Sequence, residues 1–163
     1  MEAALAEARK CVPIRTAFCV GCVLTVSWPT QGLTIISTGY SRELPGNTHA
    51  EANALTKLRS LTEEDIQSLF PGSRPSDVQD ILSRVDAVTT MEPCSVRTSG
   101  LSPCADALIA AGVRRCFIGV GEPDDFVNCE GAQRLEDAGV EVIWMAGMEK
   151  ECLEVARQGH NVD

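Results

Sequence analysis

"DAVTTMEPCSVRTSGLSPCADALIAAGVRRCFIGV", residues 86–120, decides the fold because it places a helix between two apolar strands. Runs rich in β-branched residues at its two ends predict strands, the second of them over Arg114–Val120. Alanine and leucine at helical spacing over 104–112 predict a helix, and we expect Ser102 to cap it and Pro103 to take its first position. Strands that alternate with helices in this way usually lie parallel in one sheet. The stretch therefore predicts an α/β layered fold.

The rest of the chain extends this pattern in both directions. The predicted elements are a helix over 1–12, antiparallel strands over 18–26 and 33–40, a helix that begins at Thr48, short helices over 62–70 and 76–85, a helix over 130–139, a strand over 140–145 and a last helix over 149–159. Thr62 and Ser76 are the predicted caps of the two short helices. We predict a single domain over residues 1–163, in which 61–85 is a helical surface insertion.

The composition argues against several classes of partner. With 163 residues, 44% of them hydrophobic, the chain can bury one core without disulfides. A net charge of −9 and an aromatic fraction of 4% argue against nucleic acid, which basic and aromatic side chains bind. No apolar run approaches the roughly 18 residues of a membrane span, and the first residues are typical of an acidic helix rather than a signal peptide. We expect a cytoplasmic protein whose eight cysteines are metal ligands, active-site groups or core residues.

A metal site is predicted by His49, Glu51, Cys94 and Cys104. Catalytic zinc takes three protein ligands and leaves a fourth position for water. A His-x-Glu pair followed by two cysteines is typical of zinc-dependent nucleobase deaminases, in which the glutamate moves protons and is not a ligand. Nine residues separate the cysteines here, against two in that signature, so we expect Cys94 to follow a strand and Cys104 to begin a helix. The set predicts Zn²⁺ held by His49, Cys94 and Cys104, with Glu51 as the catalytic residue.

The remaining cysteines and the second histidine are expected to have no part in this chemistry. Cys19 and Cys22 form a Cys-x-x-Cys pattern inside a predicted strand, where residues three apart face opposite sides. We therefore expect neither chelation nor a disulfide from that pair. Core or half-buried positions are predicted for the others, which are Cys11, Cys116, Cys129 and Cys152. His160 lies in a polar C-terminal tail and is expected to be solvated.

Three segments, "HAEANAL" at 49–55, "TTMEPCS" at 89–95 and "PCADALIAAGVRRCFIGVGEPD" at 103–124, resemble the riboflavin-pathway pyrimidine deaminases of the cytidine deaminase superfamily, the fungal branch above all. The resemblance implies a three-layer α/β/α sandwich with a central mixed five-stranded sheet and the same zinc ligands and catalytic glutamate. It implies hydrolysis of 2,5-diamino-6-ribitylamino-4(3H)-pyrimidinone 5′-phosphate to 5-amino-6-ribitylaminouracil 5′-phosphate and ammonia. It also implies a homodimer and a separate reductase in the pathway.

The loops that flank the predicted ligands supply the candidate substrate-binding residues. Arg42 and Arg97 are candidates for the phosphate, since a guanidinium binds it through two parallel hydrogen bonds, although a solvated surface charge is an equal alternative for each. Asn47 is a candidate for the ring or the hydroxyls, with a turn residue as the alternative. Backbone N–H groups around Ala50 and Cys94 are candidates to stabilise negative charge on the reacting ring. Together they predict a site for a small phosphorylated ribitylamino-pyrimidine.

Other functions stay open on the residues alone. A deaminase of another nucleobase, nucleoside or tRNA would carry the same motif. A non-catalytic zinc-binding module would be expected to lose Glu51, which is present. A structural zinc site would close the fourth position with another ligand, and no further histidine or cysteine stands near the motif in sequence. These alternatives separate by activity and by mutation of Glu51.

Overall fold

Five strands and seven helices make up the part of the chain that the computed structural model describes, which is residues 1–28, 32–71, 75, 78–97, 100–123 and 129–160. The strands are β1 (Gly21–Trp28), β2 (Gly32–Tyr40), β3 (Val85–Met91), β4 (Arg115–Val120) and β5 (Glu141–Trp144). The helices are α1 (Glu2–Ala8), α2 (Ala50–Arg59), α3 (Glu63–Leu69), α4 (Val78–Leu82), α5 (Cys104–Ala110), α6 (Gly131–Asp137) and α7 (Glu149–Ala156). No described helix is long and apolar enough to cross a membrane.

The strands form one mixed sheet in the order β2-β1-β3-β4-β5. β1 is antiparallel to both β2 and β3, whereas β4 runs parallel to β3 and β5 runs parallel to β4. The parallel part arises where α5 carries the chain from β3 back to the start of β4, as the stretch 86–120 predicts. The predicted mixed five-stranded sheet is therefore confirmed, and the carboxyl ends of β3 and β4 lie side by side at one edge.

Helices cover both faces of this sheet. Residues on one face of β1 contact α2, and a residue on its other face contacts α1. Leu24 and Val26 pack in the main core with Ala54 of α2, and α5 and α6 contribute to the same core. Gly21 faces the other side, where an added methyl group would overlap the Ala4 carbonyl oxygen of α1. There α1 packs with α7 through Leu5 and its neighbours. The predicted three-layer α/β/α arrangement is confirmed.

The start of α5 differs from the prediction. Pro103 has an extended ψ of 151° and is the N-cap, so Cys104 is the first helical residue. Ser102, the predicted cap, places its hydroxyl 3.5 Å from the Pro103 carbonyl oxygen instead. The prediction was wrong because the Cys104 N–H, an amide at the helix start, donates to Cys94 Sγ at 3.3 Å. A side chain from outside the helix thus takes the role expected of the serine.

The segment between α1 and β1 is longer than predicted, because α1 ends at Ala8 and β1 begins at Gly21. This segment packs against the C-terminal part of the chain, where the Cys19 N–H donates to the Ala156 carbonyl oxygen at 2.9 Å. The ring of His160 lies 4.9 Å from the ring of Phe18 and is half-buried. His160 is thus part of the packing rather than the solvated side chain that its polar tail predicts.

The predicted insertion 61–85 contributes to the main core. Thr62 caps α3 in a capping box, as predicted, whereas Ser76 lies outside the described residues. Phe70 is buried with its ring centroid 5.0 Å from that of Trp28, and buried side chains of α3 and α4 join the same core. The assignment of the whole chain to one domain with an insertion stays a prediction.

Candidate active site

Three element ends bring the predicted metal ligands together. His49 is the N-cap of α2, with φ −95° and ψ 155°, and Cys104 is the first residue of α5. Cys94 lies in the loop that follows β3. Gly39 of β2 lets α2 approach the sheet, because an added methyl group there would overlap the Ala50 carbonyl oxygen. The sequence thus fixes each ligand at the end of an element that the core holds in place.

The spacing of the donor atoms fits a zinc ion. His49 Nδ1 lies 3.5 Å from Cys94 Sγ and 3.5 Å from Cys104 Sγ, and the three donor atoms all lie within 4.8 Å of one another. Zinc–nitrogen bonds of about 2.05 Å and zinc–sulfur bonds of about 2.3 Å in tetrahedral geometry require a nitrogen–sulfur distance of about 3.6 Å. One imidazole and two thiolates also favour zinc over magnesium or calcium. The three residues therefore fit Zn²⁺.

The surroundings of Cys94 favour its thiolate form. The side-chain hydrogen bond from Cys104 lowers the pKa of Cys94 to about 4, with a further contribution from His49, although burial acts in the opposite direction. The Cys104 N–H, which is at the start of α5, adds a backbone donor at 3.3 Å. Because the thiolate is the form that binds metal, Cys94 is prepared for coordination at neutral pH.

Glu51 lies in the second position of α2 and is only 3% exposed. The Thr89 hydroxyl lies 3.2 Å from Glu51 Oε1 and 2.9 Å from the Met91 carbonyl oxygen, so it holds the carboxyl group against β3. Burial raises the pKa of Glu51, and the negative charge of Cys94 raises it further. A carboxyl group with a raised pKa can both accept and return a proton near neutral pH. The arrangement suits a proton-transfer role.

A cavity of about 370 Å³ opens over these residues. His49, Glu51 and Cys94 line it, and its walls also include Phe18, Met91 and Glu122. This volume lies in the range of about 300 to 1,000 Å³ that is typical of small-molecule sites. The cavity therefore fits a molecule the size of a substituted pyrimidine better than a polymer.

Three of the predicted substrate-binding residues surround this cavity or the start of α2. Arg97 and Asn47 line the cavity, and Arg97 Nη2 donates to the Asn47 carbonyl oxygen at 2.8 Å. Arg97 Nε is buried and has no acceptor among the described residues. Ala50 is fully buried as the first residue of α2, where a backbone N–H lacks a partner within its own helix. Their substrate roles stay predictions.

Arg42 has protein acceptors for its guanidinium group. It adopts a left-handed backbone conformation with φ 63°, and its Nη1 donates to the Phe18 carbonyl oxygen at 3.2 Å. Its Nη2 donates to the Val12 carbonyl oxygen at 2.9 Å and to Cys11 Sγ at 2.7 Å. Although Arg42 lines the cavity, these bonds hold it to the segment before β1. Its predicted role in phosphate binding stays a prediction, and Arg97 has the more available donor.

Glu122, which no sequence motif marks, lines the cavity from the loop after β4. Burial raises the pKa of Glu122 to about 7, and its Oε2 is buried without a hydrogen-bond partner among the described residues. The predicted order of the parallel strands could have identified this residue. Parallel strands end at the same edge of a sheet, so the residue after β4 lies near the cysteine after β3. Thr89, whose position behind Glu51 depends on the register of β3, was missed as well.

Comparison with known proteins agrees with this geometry. The family described as the cytidine and deoxycytidylate deaminase zinc-binding region matches residues 1–120. A relative from Schizosaccharomyces pombe, named diaminohydroxyphosphoribosylamino-pyrimidine deaminase, is 41% identical over 160 residues, which cover 98% of this chain and 35% of the relative. This chain therefore spans about a third of the length of that curated relative. The resemblance carried by the three sequence segments is confirmed.

Solved structures with the same fold include the Rib2 deaminase of Aspergillus oryzae, a C-terminal deletion mutant. Its structure at pH 4.6 matches with a TM-score of 0.78 and 36% identity, covering 98% of this chain and 90% of that chain. A structure of the same deaminase in complex with DARIPP matches with a TM-score of 0.76 and 35% identity, over 98% and 89% of the two chains. The similarity thus extends over nearly all of both molecules.

Proposed function

This chain belongs to the cytidine and deoxycytidylate deaminase family, and on that premise we propose that it is a zinc-dependent hydrolase that deaminates 2,5-diamino-6-ribitylamino-4(3H)-pyrimidinone 5′-phosphate in riboflavin biosynthesis. The observation that carries the proposal is the meeting of His49, Cys94 and Cys104 with buried Glu51 in one cavity. The names of the relatives support the choice of a riboflavin-pathway pyrimidine.

The proposed metal ligands are His49, through Nδ1, and the sulfurs of Cys94 and Cys104. A zinc ion bound there supplies the Lewis acidity that lowers the pKa of water towards neutrality. Glu51 takes a proton from the attacking water and delivers it to the ring nitrogen. It then carries the second proton, from the added hydroxyl group, to the departing amine, which leaves as ammonia. Thr89 keeps the carboxylate in one orientation during these transfers. The N–H groups around Ala50 and Cys94 stabilise negative charge on the reacting ring.

Arg97 is the proposed phosphate ligand. Its Nη2 donates to the Asn47 carbonyl oxygen, and both residues line the cavity. Its buried Nε has no acceptor among the described residues, so this donor is unsatisfied without a ligand. The side chain of Asn47 lies in the same wall and is the proposed contact for ribityl hydroxyls. A positive group at this wall also offsets the overall charge of −9 that would otherwise repel a phosphate.

The proposed setting follows from the same chemistry. Cysteines that serve as metal ligands rather than as disulfides are typical of reducing compartments, which supports the cytoplasm. The acidic charge supports a small-molecule substrate without nucleic acid. A separate reductase that prepares the ribityl chain and a homodimeric assembly are further parts of the proposal, and both rest on the family resemblance.

The decisive experiment measures ammonia release by the zinc-loaded protein. The ribitylamino pyrimidinone phosphate is compared with its unreduced ribosylamino counterpart and with cytidine. We expect selective turnover of the ribityl compound. Protein with one equivalent of zinc that is inactive on both pyrimidinones, or that prefers cytidine, would contradict the proposed substrate.

Two variants separate catalysis from metal binding. Glu51→Gln keeps the size of the side chain, so we expect bound zinc and an unchanged fold, with turnover reduced at least about 1,000-fold because proton transfer is lost. Cys94→Ser should lose zinc, as measured by metal analysis, and become less stable. Wild-type activity of Glu51→Gln would refute the mechanism.

Arg97→Ala tests the phosphate contact. Loss of a charge-assisted bond should raise KM for the phosphorylated substrate about tenfold or more, while KM for the dephosphorylated analogue stays the same. The matched control is Arg84→Ala, which removes an arginine on the exposed surface that is paired with Asp80 and stacked on Trp28. Equal KM changes for both analogues would remove Arg97 from the phosphate site.

A further inference from the structure

A second cluster of reactive groups lies beside the active-site cavity and has no part in the proposed deamination. It consists of Cys11, Cys19 and Arg42, and we call the two cysteines the thiol pair. Arg42 Nη2 lies 2.7 Å from Cys11 Sγ and 3.8 Å from Cys19 Sγ, so one nitrogen contacts both sulfurs. Cys11 Sγ also lies 3.7 Å from the Val12 carbonyl oxygen. The sequence pattern predicts only core or strand positions for these two cysteines.

The two thiols differ in their ease of ionisation. The hydrogen bond from Cys11 lowers the pKa of Cys19 to about 7, and the positive charge of Arg42 lowers it further. The same hydrogen bond and burial raise the pKa of Cys11, which therefore remains a neutral donor. A thiolate next to a neutral thiol and a guanidinium is the arrangement found in reactive cysteine pairs.

We propose that Cys11 and Cys19 form a redox-active dithiol that small hydroperoxides oxidise to a disulfide. The geometry carries this inference, because one guanidinium nitrogen contacts both buried sulfurs and so keeps them close together. The inference is independent of the deaminase substrate. It assigns a modification site to a segment that holds Arg42 and Phe18 at the cavity wall.

The oxidation proceeds in two balanced steps. The Cys19 thiolate attacks one peroxide oxygen, the O–O bond breaks, and the departing oxygen takes a proton and leaves as water. Cys19 is now a sulfenic acid. The Cys11 sulfur attacks the Cys19 sulfur, the S–O bond breaks, and hydroxide leaves with the Cys11 proton as a second water. Two thiols lose two electrons and one hydrogen peroxide gains them, and a cellular dithiol reverses the change.

Burial sets the class of oxidant. Cys11 is 3% exposed and Cys19 is 0% exposed, which excludes large disulfide reagents. The segment that carries both thiols is itself partly exposed to solvent, with Val12 74% exposed and Ile14 39% exposed. Oxidation replaces a thiolate by a neutral disulfide, so Arg42 loses its charged partner. Because Arg42 also lines the active-site cavity, this loss links the redox state of the pair to the active site.

Peptide mapping of the intact zinc-loaded protein tests the proposal. Trypsin cleaves after Lys10, Arg15 and Arg42, so Cys11 falls in peptide 11–15 and Cys19 in peptide 16–42. After a brief treatment with hydrogen peroxide, free thiols are blocked and the chain is digested without reductant. We expect the two peptides joined by a disulfide, with fragmentation placing the bond at Cys19 rather than Cys22.

Cys129 provides the internal comparison. It is the more exposed thiol, but burial raises its pKa to about 12. If solvent exposure alone set the rate of oxidation, Cys129 would react first. If the thiolate character of Cys19 sets the rate, the thiol pair should react at least about tenfold faster than Cys129 at pH 7. Faster oxidation of Cys129, or Cys11 and Cys19 still free when other thiols are oxidised, would overturn the proposal.

Variants add a second readout. Cys19→Ser should abolish the linked peptides, whereas Cys152→Ser, at a buried cysteine in a different cluster, should leave their rate of formation unchanged. Arg42→Gln should slow the reaction about tenfold at pH 7 by removing the charge that stabilises the thiolate. Linked peptides that persist in Cys19→Ser, or that form as fast in Arg42→Gln, would contradict the assigned roles. The measurements on the wild-type protein decide the proposal even where a variant folds poorly.

Discussion

Replacement of Gly39 by alanine tests how α2 is held at the position that the zinc site requires. Gly39 lies in β2 with its open side towards α2. The added methyl group would overlap the Ala50 carbonyl oxygen, lie 2.6 Å from the Ala54 backbone nitrogen and lie 3.1 Å from Asn53 Cβ. Two of these contacts are with helix backbone, which cannot rotate away as a side chain does. The helix as a whole has to move away from the sheet.

The size of the effect follows from what α2 buries. Ala50, Ala54 and Leu58 are each 0% exposed and pack in the main core, so a shift of α2 opens space around all three. Overpacking of this kind costs about 1 to 3 kcal/mol, and we expect about 3 kcal/mol because backbone atoms are involved. His49 directly precedes Ala50, and its Nδ1 now lies 3.5 Å from both sulfurs. Displacement of the ligand should weaken zinc binding about tenfold or more.

Urea unfolding and zinc competition with a chelator measure the two effects. Gly147→Ala is the matched control, because Gly147 has φ +86° and no atom within 4 Å of an added methyl group. This variant should lose about 1 kcal/mol of unfolding free energy, from backbone strain alone, and should bind zinc with unchanged affinity. If Gly39→Ala loses no more stability than Gly147→Ala and binds zinc as tightly as the wild type, the reasoning about the contact between α2 and β2 is refuted.

Two further changes test the surroundings of Glu51 and the ionisation of Glu122. Thr89→Val removes the hydroxyl beside Glu51, so kcat should fall about tenfold with normal zinc content, and an unchanged kcat would argue against positioning by Thr89. Glu122 has its pKa raised to about 7 by burial, so the folded state keeps a proton that the unfolded state has released above about pH 4.5. Stability should therefore fall as pH rises from 4.5 to 7, by about 1 kcal/mol after allowance for partial exposure. In urea unfolding, the loss should be larger in the wild type than in Glu122→Gln, which keeps the contribution of Glu51, whereas parallel pH profiles would contradict it.

The strands, the helices and the zinc ligands could be predicted from sequence because each depends on local pattern. The run at 86–120 contains its own strand, helix and strand, and the order His-x-Glu, Cys, Cys fixes the ligand set. The cap of α5 was predicted wrongly, because its donor is satisfied by Cys94 from another element. Local pattern holds no information about such a partner.

The residues that the sequence did not reveal depend on contacts between distant parts of the chain. Glu122 reaches the cavity because β3 and β4 are parallel and in register, with Met91 opposite Val120. Arg42 was predicted from its place in a loop, but its acceptors lie in the segment before β1 and its own φ of 63° directs it there. Both depend on strand order, which follows from tertiary packing rather than from periodicity.

The long loop between Cys94 and Cys104 is compatible with the zinc site because its two ends are hydrogen-bonded to each other. The Ala105 N–H donates to the Cys94 carbonyl oxygen at 3.2 Å, and the Cys104 N–H donates to Cys94 Sγ at 3.3 Å. These bonds join the loop after β3 directly to the start of α5, whatever the length of chain between them. The entropic cost of closing such a loop rises only slowly with the length of the loop. Nine intervening residues can therefore give the ligand placement that two give in the shorter signature, and the added length brings Val96 and Arg97 to the cavity wall.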